Sequence, residues 1–321
     1  SSLRAVINCS EPVRLDSHRM FLQKFGPYGL REDALSACYA MAENTFAVTQ
    51  TPPGQPPRVD WVLTAALQSE KMAVPLPGTV SPVEPSGEAQ PPGFDGAQPP
   101  GFDGTQPPGF DGAQPPGFDG AQPVNGYTAM MSCGFPIPGT EVRIVDTHRK
   151  PLPERHVGEV ALRSDCMLSG YYHREDATAA AIHAGWYFTG DMGYMADGEL
   201  FISGRKKDMI IVGGKNIFPQ DLEAIANGVP GLYPGRSVAF GVTDTRMGSE
   251  SVVMVCELED ENAGEAERAA IERELRQRVV QQTEIALSDV LLVGHRWLIK
   301  TSSGKIARGD NRNKYFDARA G

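Results

Sequence analysis

Three short segments hold the side chains whose types and spacing suggest chemistry. Tyr187-Phe188-Thr189-Gly190-Asp191 contributes a carboxylate and Gly204-Arg205-Lys206-Lys207-Asp208 a guanidinium, while Lys300-Thr301-Ser302-Ser303-Gly304-Lys305-Ile306, about a hundred residues further on, contributes an ammonium group. One carboxylate and separated cations suit a reaction in which two negatively charged partners must meet. That chemistry needs cations, a metal and tight positioning more than a general acid or base. Taken singly, each segment has a plain reading. Thr-Gly-Asp is a common tripeptide, Arg205 suits a surface ion pair, and Lys207 and Lys305 suit exposed charges. Ser303-Gly304-Lys305 is not a phosphate-binding loop, because the earlier Gly and the Ser or Thr after the Lys are absent.

The chain that must position these groups has 321 residues, 40% of them apolar. That is enough for two cores and more than one small core organises. A formal charge of −10 argues against binding a phosphate backbone, so no nucleic-acid partner is expected. Cys9, Cys38, Cys133, Cys166 and Cys256 are odd in number and scattered, which fits reduced core cysteines better than a disulfide framework, and the His residues show no paired ligand spacing for zinc. No apolar run is long enough for a transmembrane segment, and the first residues lack the pattern of a signal peptide, so the expected compartment is cytoplasmic. The chain opens without Met inside an apparent strand and reads as the tail of something longer.

Hydrophobic periodicity predicts a strand over Leu3 to Cys9, a helix around His18 to Phe25, and an extended run from Leu35 to Met41, an alternation that points to parallel α/β structure. Short strands are expected at Glu141 to Val145 and Gly158 to Leu162, with a helix at Asp176 to His183. Met192 to Met195 and Glu199 to Ser203 flank Asp197-Gly198, a dipeptide suited to the positive φ angles of a tight hairpin, which would deliver Gly204-Arg205 at a strand end. A strand at Met209 to Val212 and a helix from Pro219 to Ala226 follow. Strands at Ser237 to Val242, Val252 to Glu257 and Asp289 to Val293 surround a helix from Glu265 to Gln282, in which Ile271, Leu275 and Val279 recur every four residues.

Between the halves of the first region, Ala-Gln-Pro-Pro-Gly-Phe-Asp-Gly occurs four times from Ala89 to Gly120, with Thr105 as the single change. One Phe per eight residues buries too little apolar area to offset a chain entropy of roughly 1–2 kcal/mol per residue. The segment at about 82–123 reads as a disordered insert, or alternatively as a tract presenting Phe94, Phe102, Phe110 and Phe118 to a partner.

The three segments, together with Tyr39-Ala40-Met41-Ala42-Glu43-Asn44-Thr45, Asp208-Met209-Ile210-Ile211-Val212-Gly213-Gly214-Lys215-Asn216 and Phe218-Pro219-Gln220-Asp221-Leu222-Glu223, resemble the adenylate-forming superfamily of acyl-CoA synthetases, peptide-synthetase adenylation domains and luciferases. Within it the chain looks most like the fatty acyl-AMP ligases. The resemblance implies an α/β fold with an α+β C-terminal lid. Residues 1–203 would form the C-terminal part of the large AMP-binding domain, and residues 204–321 the small mobile domain. It further implies that Tyr39 lies against adenine, Glu43 helps to hold Mg²⁺, Asp191 accepts the ribose hydroxyls and Arg205 contacts ribose or phosphate. Lys207 would be the hinge, and Lys305 the catalytic lysine that bridges the acyl carboxylate and the α-phosphate of ATP. The implied activity is ATP-dependent conversion of a fatty acid to acyl-AMP, with transfer to the phosphopantetheine thiol of an acyl carrier protein. The alternatives are a fatty acid–CoA ligase, or a non-catalytic acyl- or nucleotide-binding member that uses the repeat for interaction. Residues between Gly54 and Pro77 resemble the insertion that sets fatty acyl-AMP ligases apart from CoA ligases. The chain departs from the family pattern at Ala40, where Gly is usual, and it contains no Gly/Ser/Thr-rich phosphate loop, which lies upstream in relatives.

Overall fold

In the computed structural model, residues 3–9, 11–77, 126–244, 249–302 and 304–320 are described; the octapeptide repeat lies outside them. Strand β1 (Val6–Asn8), helix α1 (Leu15–Phe25) and strand β2 (Leu35–Ala40) form a right-sized crossover that pairs the two strands in parallel, Val6 opposite Leu35 and Asn8 opposite Ala37. Nearly every residue of β2 is buried, as expected of a strand covered on both faces. The alternation read as parallel structure goes no further in this region: β3 (Ala47–Gln50) runs antiparallel to β2, and the remaining strands before residue 205 also pair antiparallel. On α1 the apolar positions Met20, Phe21 and Phe25 stay exposed, whereas His18 is buried.

Strands β4 (Val59–Leu63) and β5 (Tyr127–Met131) form a two-stranded ribbon, and β6 (Phe135–Pro136) extends the first sheet beside β3. A second sheet orders β7 (Thr140–Val145), β8 (Gly158–Ser164), β10 (Trp186–Ala196) and β11 (Glu199–Arg205), with helix α2 (Glu175–Ala181) leading into the short strand β9 (Ile182–His183) on β10. The β10–β11 turn is the one the sequence specifies. Asp197 and Gly198 have φ of 52° and 78°, the left-handed values that a tight twisted hairpin requires. Its register sets Asp191 opposite Arg205. Tyr194 and Phe201 stack across it, centroids 4.9 Å apart, inside the core of this region.

After Arg205 a single 3₁₀ turn, Lys206–Asp208, leads to the hairpin of β12 (Ile210–Val212) and β13 (Lys215–Ile217) and then to α3 (Pro219–Ala226). Gly204 has no room for a side chain: a Cβ there would lie 2.4 Å from the Phe218 ring. Strands β14 (Leu232–Asp244), β15 (Ser249–Leu258) and β16 (Leu287–Val293) make a three-stranded sheet, and α4 (Glu265–Thr283) is the crossover that brings β16 parallel to β15. Ile271, Leu275 and Val279 of α4 are buried with Leu222, Met254 and Leu258. On its outer side Glu272–Arg276 and Glu274–Arg278 form i,i+4 ion pairs at 2.8 and 2.6 Å. The other face of the sheet packs Phe240, Val253 and Val255 against Leu298 and Tyr315, the latter on helix α5 (Arg308–Ala320). That helix was not anticipated, because its polar sequence shows little apolar periodicity and its place is set by what it covers. Among the described residues no cysteine is in a disulfide; Cys38, Cys133 and Cys256 are buried, and Cys166, contrary to expectation, is exposed. Among the described residues no helix is long and apolar enough to cross a membrane.

Candidate functional site

Tyr39 is the last residue but one of strand β2, and the backbone then turns through the 3₁₀ segment Ala42–Asn44 that carries Glu43. Across from them, Gly190 adopts φ 72° and breaks the regular course of β10 just before Asp191. The turn is tied down on both sides: Thr189 Oγ1 donates to Val160 O at 2.9 Å and accepts from Asp191 N at 3.0 Å, while Gly190 N donates to Glu159 Oε1 at 3.1 Å. Asp191 is thereby aimed inward and is buried. Tyr39 Oη donates to its Oδ2 at 2.6 Å and Arg205 Nε to its Oδ1 at 3.0 Å. Burial first, and the Asp191 charge second, push the Tyr39 hydroxyl well above the usual phenol range, so it remains a donor.

Glu43 sits at the same mouth, where Tyr171 Oη donates to its Oε1 at 3.2 Å and pairs with Tyr187 Oη at 2.9 Å. Burial, with Tyr171 and Glu43 adding to it, raises the Tyr187 phenol. Lys207 lies on the turn after β11, exposed and without an ion-pair partner among the described residues. Lys305 is likewise exposed, on the loop that precedes α5. Tyr39, Glu43, Asp191, Arg205, Lys207 and Lys305 all line one cleft of about 810 Å³, together with Asp208, Glu223, Thr301 and Arg308. Ala40, where the resemblance leads one to expect Gly, is on its wall too. The Tyr39 ring itself packs among Val48, Cys133, Leu162 and Leu200.

A second, more open cleft of about 600 Å³ contains none of the six. Its charges are already engaged, Lys206 with Glu159 at 2.8 Å and Arg149 over the Phe188 ring at 4.5 Å.

Several residues of the main cleft escaped the sequence reading. Tyr171, which holds Glu43, stands in an ordinary Tyr-Tyr pair. Arg308, three residues beyond Lys305, has no local pattern that singles it out, yet its guanidinium reaches Asp208 at 3.2 Å and Glu223 at 2.6 Å. The Gly54 to Pro77 segment is built as β4 and a one-turn π-type helix, Ala66–Glu70. Arg58 pairs with Asp197 at 2.7 Å and Glu199 at 2.9 Å, and Asp60 accepts from Arg155 and Tyr194, each at 2.9 Å, which fixes the segment to the β10–β11 hairpin. Asn216 Nδ2 donates to Gln68 O at 2.7 Å, linking the same segment to the β12–β13 hairpin.

Comparison with known proteins gives this geometry a context. The profile of the family described as AMP-binding enzyme matches residues 120–172. The medium-chain-fatty-acid–[acyl-carrier-protein] ligase JamA of Moorena producens is 30% identical over 99% of this chain and 48% of its own length. The long-chain-fatty-acid–AMP ligase FadD26 of Mycobacterium tuberculosis is 28% identical over 97% and 47%. A structure from work on fatty acyl-adenylate ligases of E. coli and L. pneumophila superposes with a TM-score of 0.75 at 24% identity, covering 99% of this chain and 48% of that one, and so shares the fold. The chain spans about half the length of the curated relatives it matches. Residues 120–172 thus match the AMP-binding family, and over nearly its whole length the chain is similar to about half of an adenylate-forming enzyme.

Proposed function

We propose that the protein containing this chain joins a fatty acid to ATP to give acyl-AMP and then transfers the acyl group to the phosphopantetheine thiol of an acyl carrier protein. The observation that carries this reading is the single cleft shared by Asp191, Arg205 and Lys305, which are 14 residues apart at their nearest and over a hundred at their farthest. In the first step a carboxylate oxygen attacks the α-phosphorus, and the bond to the bridging oxygen breaks as pyrophosphate leaves. In the second, the thiol sulfur attacks the acyl carbonyl, loses its proton, and AMP departs.

Each side chain has a part in this scheme. A carboxylate has about four acceptor positions, of which Tyr39 and Arg205 take two in Asp191. The other two suit the vicinal hydroxyls of a ribose. Tyr39 would border the adenine with the exposed part of its ring, Arg205 would contact ribose or phosphate, and Lys305 would neutralise the meeting of carboxylate and α-phosphate. Lys207 would be the pivot of the segment that follows. Among the described residues no group of three or more His, Cys, Asp or Glu forms a metal cage. A lone carboxylate, Glu43, fits a Mg²⁺ that keeps waters and phosphate oxygens as its other ligands. When bound, the ion would neutralise charge on the leaving pyrophosphate.

The acceptor is tested by product analysis. With ATP, Mg²⁺ and fatty acids of graded length, the full-length gene product is expected to release pyrophosphate and to load a holo acyl carrier protein in preference to free CoA. Predominant acyl-CoA would replace the carrier reading with the CoA ligase. No pyrophosphate release with any chain length would end the adenylation reading.

A further inference from the structure

The loop that carries Lys305 is short, exposed and polar, a combination that ordinarily means mobility. Its two ends tell otherwise. Ala307 N donates to Ile299 O at 3.0 Å and Thr301 N to Lys305 O at 2.7 Å, so the loop closes on itself as a narrow hairpin. Asn311, one turn into α5 and wholly buried, spans that neck: its Oδ1 accepts from Ile299 N, and its Nδ2 donates to Ile299 O and to Ala307 O, each at 2.8 Å. Both amide donors and one of the two lone pairs of the amide oxygen are thereby used. Ile299 offers a donor and an acceptor side by side, and although its carbonyl also accepts from Ala307 N, its N–H takes the Asn311 amide oxygen, so a side chain with both kinds of group grips the neck from each side. The next anchor is Arg308, mostly buried at 19% exposure, whose Nε donates to Ala239 O at 2.9 Å and whose two terminal nitrogens reach Asp208 and Glu223. Asp208 is the residue after Lys207, on the turn where β11 ends. Glu223 is fixed in turn, accepting from Ala239 N at 2.9 Å.

We propose that Asn311 and Arg308 are positioning residues: Asn311 makes the Lys305 loop a stiff outgrowth of α5, and Arg308 gears that helix to the Lys207 turn, so that movement about the turn delivers the lysine without any rearrangement of its loop. The consequence for catalysis rests on the ligase reading above; the stiffness of the loop does not. A lysine that travels with the body behind it needs no ordering at the moment of reaction, which is how preorganised cations act most effectively.

Hydrogen exchange and kinetics separate the two parts. In the full-length protein, Asn311→Asp keeps size and shape but sets a carboxylate against two carbonyl oxygens, and Arg308→Lys keeps the charge but loses the fork. In Asn311→Asp the Thr301 and Ala307 amides should exchange about tenfold faster or more, with β14 and β15 amides unchanged, since only the local opening free energy moves. In Arg308→Lys the loop amides should stay protected. For both variants kcat of fatty acid-dependent ATP–pyrophosphate exchange should fall about 100-fold, the loss typical of a misplacement near 1 Å, with KM for ATP within about twofold. Unchanged loop exchange in Asn311→Asp would overturn the stiff loop whatever the enzyme does. Faster exchange with undiminished kcat would overturn the positioning role while leaving the ligase reading intact. An inactive wild-type protein would instead sink the ligase reading alone. If either variant loses protection throughout β14 and β15, Asn311→Ser, which is smaller and neutral, and Arg308→Gln take their places and are held to the same outcomes.

Discussion

Substituting Asn for Asp191 isolates the proposed ribose contact. The change removes one negative charge and turns one oxygen into a donor, while the Tyr39 hydroxyl can still donate to the remaining oxygen. Arg205 is 57% exposed, so the ion pair lost with it is well screened and the fold should lose no more than about 1 kcal/mol. Nucleotide binding should suffer far more. Each hydrogen bond to a charged acceptor contributes about 1.5–3 kcal/mol, so loss of two would lower ATP affinity about 10²- to 10⁴-fold. Isothermal titration of the full-length protein with ATP, 2′-deoxy-ATP and 3′-deoxy-ATP completes a double-substitution cycle. If Asp191 accepts both hydroxyls, each deoxy analogue binds wild type more weakly than ATP and loses only about half as much as ATP does on Asp191→Asn, because one of its two hydrogen bonds is already gone. Losses that simply add, or an Asp191→Asn protein that binds ATP as wild type does, would refute the assignment.

Lys305→Ala should reduce pyrophosphate release by orders of magnitude, yet shift stability by no more than about 0.5 kcal/mol, since the side chain is exposed and unpaired among the described residues; a large fall in the urea midpoint would show a structural role instead. Phe201→Ala removes a fully buried ring stacked on Tyr194 and should cost about 3–5 kcal/mol by denaturant titration, with a loss below about 1 kcal/mol contradicting the packing described. His18 is buried with Nε2 unpartnered among the described residues, and burial holds its pKa below the ordinary 6.5. Its unfolded form therefore takes up a proton first as pH falls, so the stability linked to it is complete above about pH 6.5 and declines below. His18→Leu should flatten that part of the stability–pH curve, and an unaltered slope would exclude His18 as its source.

Much of the architecture is carried by local sequence. Asp197-Gly198 specifies its turn because few residues tolerate two successive positive φ angles, and the four-residue spacing of Ile271, Leu275 and Val279 specifies the buried stripe of α4. The types of Asp191, Arg205 and Lys305 likewise narrow the chemistry before any fold is known. What neighbours a charge is another matter. That Arg308 holds Asp208 across exactly one hundred positions, that Tyr171 braces Glu43, and that Asn311 grips the neck of a loop follow from how sheets and helices stack, and no short-range pattern encodes such distances. The helix bearing Asn311 shows the same division: its polar sequence hides it, and only the sheet face it covers explains where it lies. Period and turn chemistry act over a few residues and are written in the sequence. Pairing, burial and the convergence of charges depend on the whole packed chain, and so they were decided by the tertiary structure.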